Sequence, residues 1–170
     1  MRYGLAVVCK KVPIRPESFV ERWVEELTRK GDTVLDPFCG RGTTPFQAML
    51  MGRKAVACDV NDVAFCLTKA KTTAPRLSTI LRRIDSLEDE FDARRWRHQA
   101  CRLPMFFSHA FSTRTLQQLY YLRAVLSWRK TRTDAMVAAL VLGSLHGEMD
   151  KSSSYLSNQM PRTISTKPEY

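Results

Sequence analysis

The sequence predicts an α/β fold resting on a parallel βαβ unit and followed by a helical second half, and three observations carry that expectation. Thr33-Val-Leu-Asp36 is a short β-rich run announced by the turn pair Gly31-Asp32, and Lys54 to Cys58 is a second such run. Between them, Cys39-Gly-Arg-Gly42 makes a tight loop whose glycines can take positive φ and let a ligand approach the backbone. Beyond residue 60 the apolar pattern is helical and offers no convincing strand, so the sheet is expected to be incomplete in this chain.

Taken in order, residues 1–12 contain one β-like run, Leu5 to Val8. Pro13 and Pro16 then punctuate the approach to a helix over about Pro16 to Arg29. Its apolar positions Phe19, Val20, Trp23, Val24 and Leu27 follow helical spacing and predict one buried face, ended by Gly31. After the first strand, Thr43 or Thr44 is expected to cap a helix reaching about Met51, with Pro45 tolerated in its first turn and Gly52 closing it. Parallel strands joined by such a helix form a right-handed unit with its ligand crevice at their carboxyl ends. Asn61 suits the N-cap of a helix through Phe65 and Leu67 to about Lys71, where Lys69 and Lys71 complement the helix dipole.

Pro75 marks a break. Leu77, Ile80, Leu81, Ile84 and Leu87 then form a helical stripe opposite a face of mixed charge. Arg94-Arg-Trp-Arg-His98 interleaves cations with an aromatic and contains no acid. Two readings stand: Arg94, Arg95, Trp96 and Arg97 as a phosphate-holding, base-stacking cluster, or a basic helix end with Trp96 turned into the core. Met105-Phe-Phe107 reads as a buried anchor after Pro104. A helix from Thr113 to about Arg129, capped by Ser112 or Thr113, would turn Leu116, Leu119, Tyr120, Leu122 and Leu126 inward. Thr133-Asp134 would cap an apolar helix, Ala135 to Leu145, with His146 at its end in a capping or solvated role. From Gly147 the pattern fails. The chain is thus divided into a cofactor-binding βαβ unit with its preceding helix (1–75), a helical portion packed on it that carries the candidate nucleic-acid face (76–147), and a loop or disordered tail (148–170).

A net charge of +10 in 170 residues favours nucleic acid as a partner through phosphate contact and counterion release. Five cysteines with no Cys-x-x-Cys pair speak against a zinc site and a disulfide framework, and suit a reducing, cytoplasmic setting. No apolar run is long enough for a signal peptide or a membrane span, so neither membrane nor metal is expected as a partner.

The crevice has a chemistry that can be read from its residue types. Bare amides at a helix start attract an anion, phosphate or carboxylate. Asp59, ending the second strand, stands where an acid accepts both hydroxyls of a ribose, and Asp36 adds negative charge beside the loop. A ligand bearing a ribose, a carboxylate and a positive charge satisfies all three groups. S-adenosylmethionine fits better than NAD, whose pyrophosphate Asp36 would repel. A dinucleotide fingerprint wants a third glycine where this chain has Pro45, and a P-loop wants a lysine between Gly42 and Thr43.

Asp36-Pro-Phe-Cys-Gly-Arg-Gly-Thr-Thr44 closely resembles the cofactor motif of the DNA amino-methyltransferases, which methylate cytosine N4 or adenine N6. Ile14-Arg-Pro-Glu-Ser-Phe-Val-Glu-Arg-Trp-Val24 resembles the helix that precedes that motif and covers the methionine end of the cofactor, and Asp59-Val-Asn61 resembles its ribose- and adenine-contacting turn. The resemblance spans about residues 13–71. It implies a Rossmann-like methyltransferase fold, S-adenosylmethionine as cofactor, and Asp36, Phe38, Gly40, Gly42, Thr43, Thr44, Asp59 and Asn61 lining the cofactor site. DNA is the implied substrate, within a restriction-modification system or as that of a lone modification enzyme. RNA is the alternative substrate, and a non-catalytic cofactor- or nucleic-acid-binding fragment is the alternative role.

One part of the family pattern is missing. Its chemistry runs on an Asp/Asn/Ser-Pro-Pro-Tyr/Phe loop beside a flipped base. The chain has no Pro-Pro pair, and Ser157-Asn-Gln-Met-Pro161 lacks the aromatic. No catalytic residue is therefore assigned. The chain is expected to be the N-terminal portion of a longer enzyme, with a C-terminal segment or a second chain supplying that loop.

Overall fold

Residues 17–145 are described by the computed structural model. The β-like run Leu5 to Val8, His146, the Ser157–Pro161 segment and the expected tail from Gly147 lie outside the described residues. The chain divides into two units, the first comprising residues up to Asp85 with Leu126–Leu140, the second Ser86–Val125 with residues from Val141 onward. The boundary expected after residue 75 falls within the first unit.

The first unit opens with α1 (Glu17–Leu27), followed by β1 (Thr33–Asp36), α2 (Thr43–Leu50), β2 (Lys54–Ala57) and α3 (Asp62–Thr72). The two strands pair in parallel, Thr33 opposite Lys54 through Asp36 opposite Ala57, which is the expected βαβ arrangement. They are the sheet's two strands among the described residues. Parallel sheets normally need both faces covered. Here Leu35 and Val56, neighbours on one face, remain 63% and 53% exposed, while Val34 and Ala55 on the other face are half-buried. Among the described residues, one face of the strand pair is thus left apolar and exposed.

The helix α1 buries less than its periodicity suggests. Val20 and Val24 are buried, but Phe19, Trp23 and Leu27 are exposed, Leu27 at 72%. The stripe is wider than the contact: among the described residues, α2 is the helix that α1 chiefly meets. The joint between them is held by Arg53, which the sequence reading passed over. Its guanidinium donates to Thr28 O at 2.7 Å, Thr28 Oγ1 at 3.0 Å and Met51 O at 2.8 Å, so one fork satisfies carbonyls where both helices end. Arg53→Ala is expected to cost about 2 kcal/mol of unfolding free energy, as charged hydrogen bonds do. Arg53→Lys, a point charge without the fork, should recover less than half in urea denaturation.

The helix α4 (Leu77–Asp89) runs from the first unit into the second. Its stripe is exposed at Leu77, Leu81 and Ile84, and buried at Leu87. The second unit contains α5 (Ala93–Cys101), α6 (Met105–Ala110) and α7 (Thr113–Val125). Ser112 Oγ accepts from the Thr115 amide at 3.2 Å and caps α7 as expected. That helix stops at Val125 rather than near Arg129, and its buried aromatic is Tyr121, not Tyr120. Leu116 is buried, as expected. Phe106 is 53% exposed, which overturns its reading as a buried anchor; with only two turns, α6 buries Ala110 instead.

The last helix among the described residues, α8 (Arg132–Ser144), begins three residues before Ala135. Thr131 Oγ1 accepts from the Asp134 amide at 3.1 Å, so Thr131 is the cap and Asp134 lies inside the first turn. The expected cap at Thr133-Asp134 is corrected accordingly. Ala135, Met136, Val137 and Ala139 are buried, in keeping with the unbroken apolar run.

Candidate ligand site at the ends of the strands

β1 ends at Asp36 and β2 at Ala57, two residues before Asp59, so both acids lie at the carboxyl edge of the sheet, where the glycine loop follows β1. The loop's amides have internal partners. Phe38 N donates to Asp36 Oδ1 at 3.1 Å, Cys39 N to Cys58 O at 3.1 Å, Gly40 N to Asp59 Oδ2 at 2.8 Å and Gly42 N to Cys39 O at 2.7 Å. These four bonds hold the loop's own shape, whereas the anion expected at the helix start would meet the amides of Thr43 and Thr44 in the first turn of α2.

Asp59 is the clasp of the crevice. One carboxylate oxygen takes the Gly40 amide and the other takes the Asn61 amide at 2.8 Å. The amides of Asn61 and Gly40 hold its carboxyl below the usual carboxylate range. Because the folded pKa lies under the unfolded one, this stabilisation is complete at neutral pH. It fades as pH falls from the ordinary aspartate range through the depressed value. Each oxygen still has a lone pair for a further donor.

The two glycines do different work. Gly40 has φ +51° and a side chain added there would meet nothing within 4 Å. Gly42 has φ +79°, and an added Cβ would lie 2.6 Å from Thr68 Oγ1 and 3.0 Å from Thr68 Cα. Open space borders the first, whereas a packed helix closes off the second. Gly42 is also the N-cap of α2, without a side-chain cap, so Thr43 and Thr44 are the first helical residues and neither caps. Phe38 and Val60, after β1 and β2 respectively, expose apolar side chains, Val60 at 99%. Asn61 caps α3, its Oδ1 accepting from Val63 N at 2.9 Å, as its sequence position implies.

The helix α3 holds the loop from behind. Thr68 Oγ1 donates to Gly40 O at 3.1 Å and Lys71 Nζ donates to Arg41 O at 2.6 Å. Lys69 donates to Arg129 O. Both lysines therefore bond to other segments, beyond the helix-dipole role read from the sequence. Cys39 is buried against Thr68, and burial, with Asp59 and Asp36 nearby, pushes its thiol up. Cys66 is likewise raised by burial. Both are protonated fillers, not nucleophiles.

A cavity of about 500 Å³ lies over β2, with Pro45, Met49, Ala57, Phe65 and Thr72 among its walls and none of Asp36, Gly40 or Asp59. Its walls also carry Arg53, Lys54, Thr68 and Lys69 but neither of the strand-end acids, so it is distinct from the crevice where Asp59 clasps the glycine loop. Among the described residues no group of His, Cys, Asp and Glu could hold a metal ion. No helix among them is long and apolar enough to cross a membrane.

In the second unit, Trp96 is half-buried with its ring 5.9 Å from that of Tyr121, and Phe91 joins them at 5.5 Å. Of the two readings of this cluster, the geometry is that of Trp96 turned to the core. Arg94, Arg95 and Arg97 are exposed, with Arg95 lying over the Trp96 ring.

The acid-clasped loop between two parallel strands occupies the middle of a segment with known relatives. Residues 13–69 match a DNA methylase family model. The match falls on the stretch that carries the resemblance to the DNA amino-methyltransferases and bears that resemblance out. The type II methyltransferase M1.MboII of Moraxella bovis is 34% identical over 58 residues, which cover 34% of this chain and 22% of that protein. The type II methyltransferase M2.DpnII of Streptococcus pneumoniae is 42% identical over 45 residues, 26% of this chain and 17% of that protein. The chain thus spans about a fifth of the length of the curated relatives it matches. No solved structure matches it.

Proposed function

We propose that the first unit binds S-adenosylmethionine at the carboxyl ends of β1 and β2, in a Rossmann-like methyltransferase fold. The chain would then be part of an enzyme that methylates an exocyclic amine of DNA, cytosine N4 or adenine N6. The observation that carries this reading is Asp59. Its carboxylate closes the crevice onto the glycine loop and keeps lone pairs for two ribose hydroxyls. The engaged loop amides favour a sulfonium nucleoside over a pyrophosphate, and the open space at Gly40 leaves room for it.

Bound there, S-adenosylmethionine supplies an activated methyl group. Asp59 would fix the ribose and Asp36 would balance positive charge beside the loop. Phe38, Thr43, Thr44 and Asn61 would complete the lining, and Gly42 would keep loop and helix in contact. The protein's contribution is orientation and electrostatics, with no covalent enzyme intermediate. No residue is assigned to the transfer step itself. Arg94, Arg95 and Arg97 form the proposed phosphate-contacting face, with Trp96 as its internal support.

Titration calorimetry of the full chain with S-adenosylmethionine tests the cofactor. Binding is expected, and Asp59→Ala should weaken it about 100-fold. Heat from NAD or a nucleoside triphosphate and none from S-adenosylmethionine would overturn the reading. Methyl transfer from labelled cofactor to duplex DNA, compared with structured RNA, separates the two substrates.

A further inference from the structure

We infer that Thr68 and Lys71 are positioning residues for the cofactor loop, acting from α3 without touching the cofactor. The inference rests on the S-adenosylmethionine reading of the crevice. Three consecutive loop residues are fixed by this one helix. Thr68 donates to Gly40 O, Lys71 donates to Arg41 O, and the Cα of Thr68 leaves no room for a side chain at Gly42. The two side chains stand three positions apart on α3 and so share a face.

Peptide planarity makes these two bonds count for more than the atoms they join. Fixing the Gly40 carbonyl also fixes the Arg41 N–H, and fixing the Arg41 carbonyl fixes the Gly42 N–H, because each pair lies in one rigid plane. The Gly42 N–H is then aimed at Cys39 O, at 2.7 Å. A loop with two glycines in the left-handed region would otherwise sample many shapes, and ordering it would be charged against binding. Thr68 is buried, and its hydroxyl also lies 3.4 Å from Cys39 Sγ, so the anchor is screened from water and set in packed surroundings.

The test uses the full chain and three variants: Thr68→Val, which keeps the shape and removes the donor, Thr68→Ser, which restores it, and Lys71→Met. Calorimetry with S-adenosylmethionine should show Thr68→Val and Lys71→Met each binding about tenfold more weakly, from the ordering of one or two residues. Thr68→Ser should lie within about threefold of the unaltered chain. Amide hydrogen exchange without cofactor should quicken at residues 40–42 in Thr68→Val and stay unchanged in β1 and β2. Wild-type affinity in Thr68→Val would overturn the inference, as would faster exchange throughout the first unit, which marks a purely structural role. If the unaltered chain binds no S-adenosylmethionine, the site reading itself fails, while the exchange comparison still decides whether α3 holds the loop.

Discussion

Gly42→Ala is expected to lower the unfolding free energy by about 3 kcal/mol or more, whereas Gly40→Ala should lower it by only about 1 kcal/mol while weakening S-adenosylmethionine binding. Both residues sit at positive φ, so each substitution carries the left-handed cost of a side chain, on the order of 1 kcal/mol. The difference lies in what the new methyl meets. At Gly42 it meets Thr68 Oγ1 at 2.6 Å and the Thr68 Cα at 3.0 Å, and the second of these is backbone. The side chain could rotate, at the loss of its bond to Gly40 O, but the helix axis must move to relieve the rest. Overpacking of this kind adds about 1–3 kcal/mol. At Gly40 the methyl enters open space, so its effect appears only when a ligand fills that space. Urea denaturation of both variants, paired with calorimetry, separates the roles. Equal stability of the two variants would show that Gly42 does not carry the contact between loop and helix.

This division of labour marks what the sequence could and could not reveal. The string Asp36 to Thr44 with Asp59 after the next strand was legible because each residue type answers a local demand: glycine for positive φ, an acid for strand-end hydroxyls. The parallel pairing of Thr33–Asp36 with Lys54–Ala57 followed from the same run. Thr68 and Lys71 were not legible, because their partners lie 28 and 30 residues away and nothing local distinguishes them from an ordinary helix end. Arg53 escaped for the same reason, its acceptors being carbonyls, which any sequence supplies. Phe19, Trp23 and Leu27 misled in the other direction: periodicity tells which residues share a face but not how much of that face a neighbour covers. The start of α8 was missed by three residues because Thr131 and Thr133 are the same residue type two positions apart; the Asp134 amide selects Thr131, while the Asp134 carboxylate is engaged elsewhere.

That engagement gives the other large effect: Asp134→Ala should cost about 3–4 kcal/mol of stability. The carboxylate is buried, its side chain 8% exposed, and it joins three elements of the first unit. Oδ1 accepts from Arg83 Nε on α4 at 2.9 Å, and Oδ2 accepts from the Ser127 amide at 2.8 Å, while its place in the first turn of α8 adds a favourable helix-dipole interaction. Ser127 in turn opens the tight turn that brings Trp128 against Phe65 and Arg129 against Asp62, so the carboxylate also sets how residues 127–131 dock on α3. Removing it strands a partly buried guanidinium and an amide at once, and a stranded charge is costlier than an absent pair. The double variant Arg83→Met with Asp134→Leu should therefore be more stable than Asp134→Ala by about 1–2 kcal/mol, despite carrying one more substitution. It should stay below the unaltered chain, since the Ser127 amide still lacks its acceptor. If the double variant instead lost the sum of the two single effects, Arg83 would matter through packing alone, and the pairing would not be what holds α4 against the start of α8.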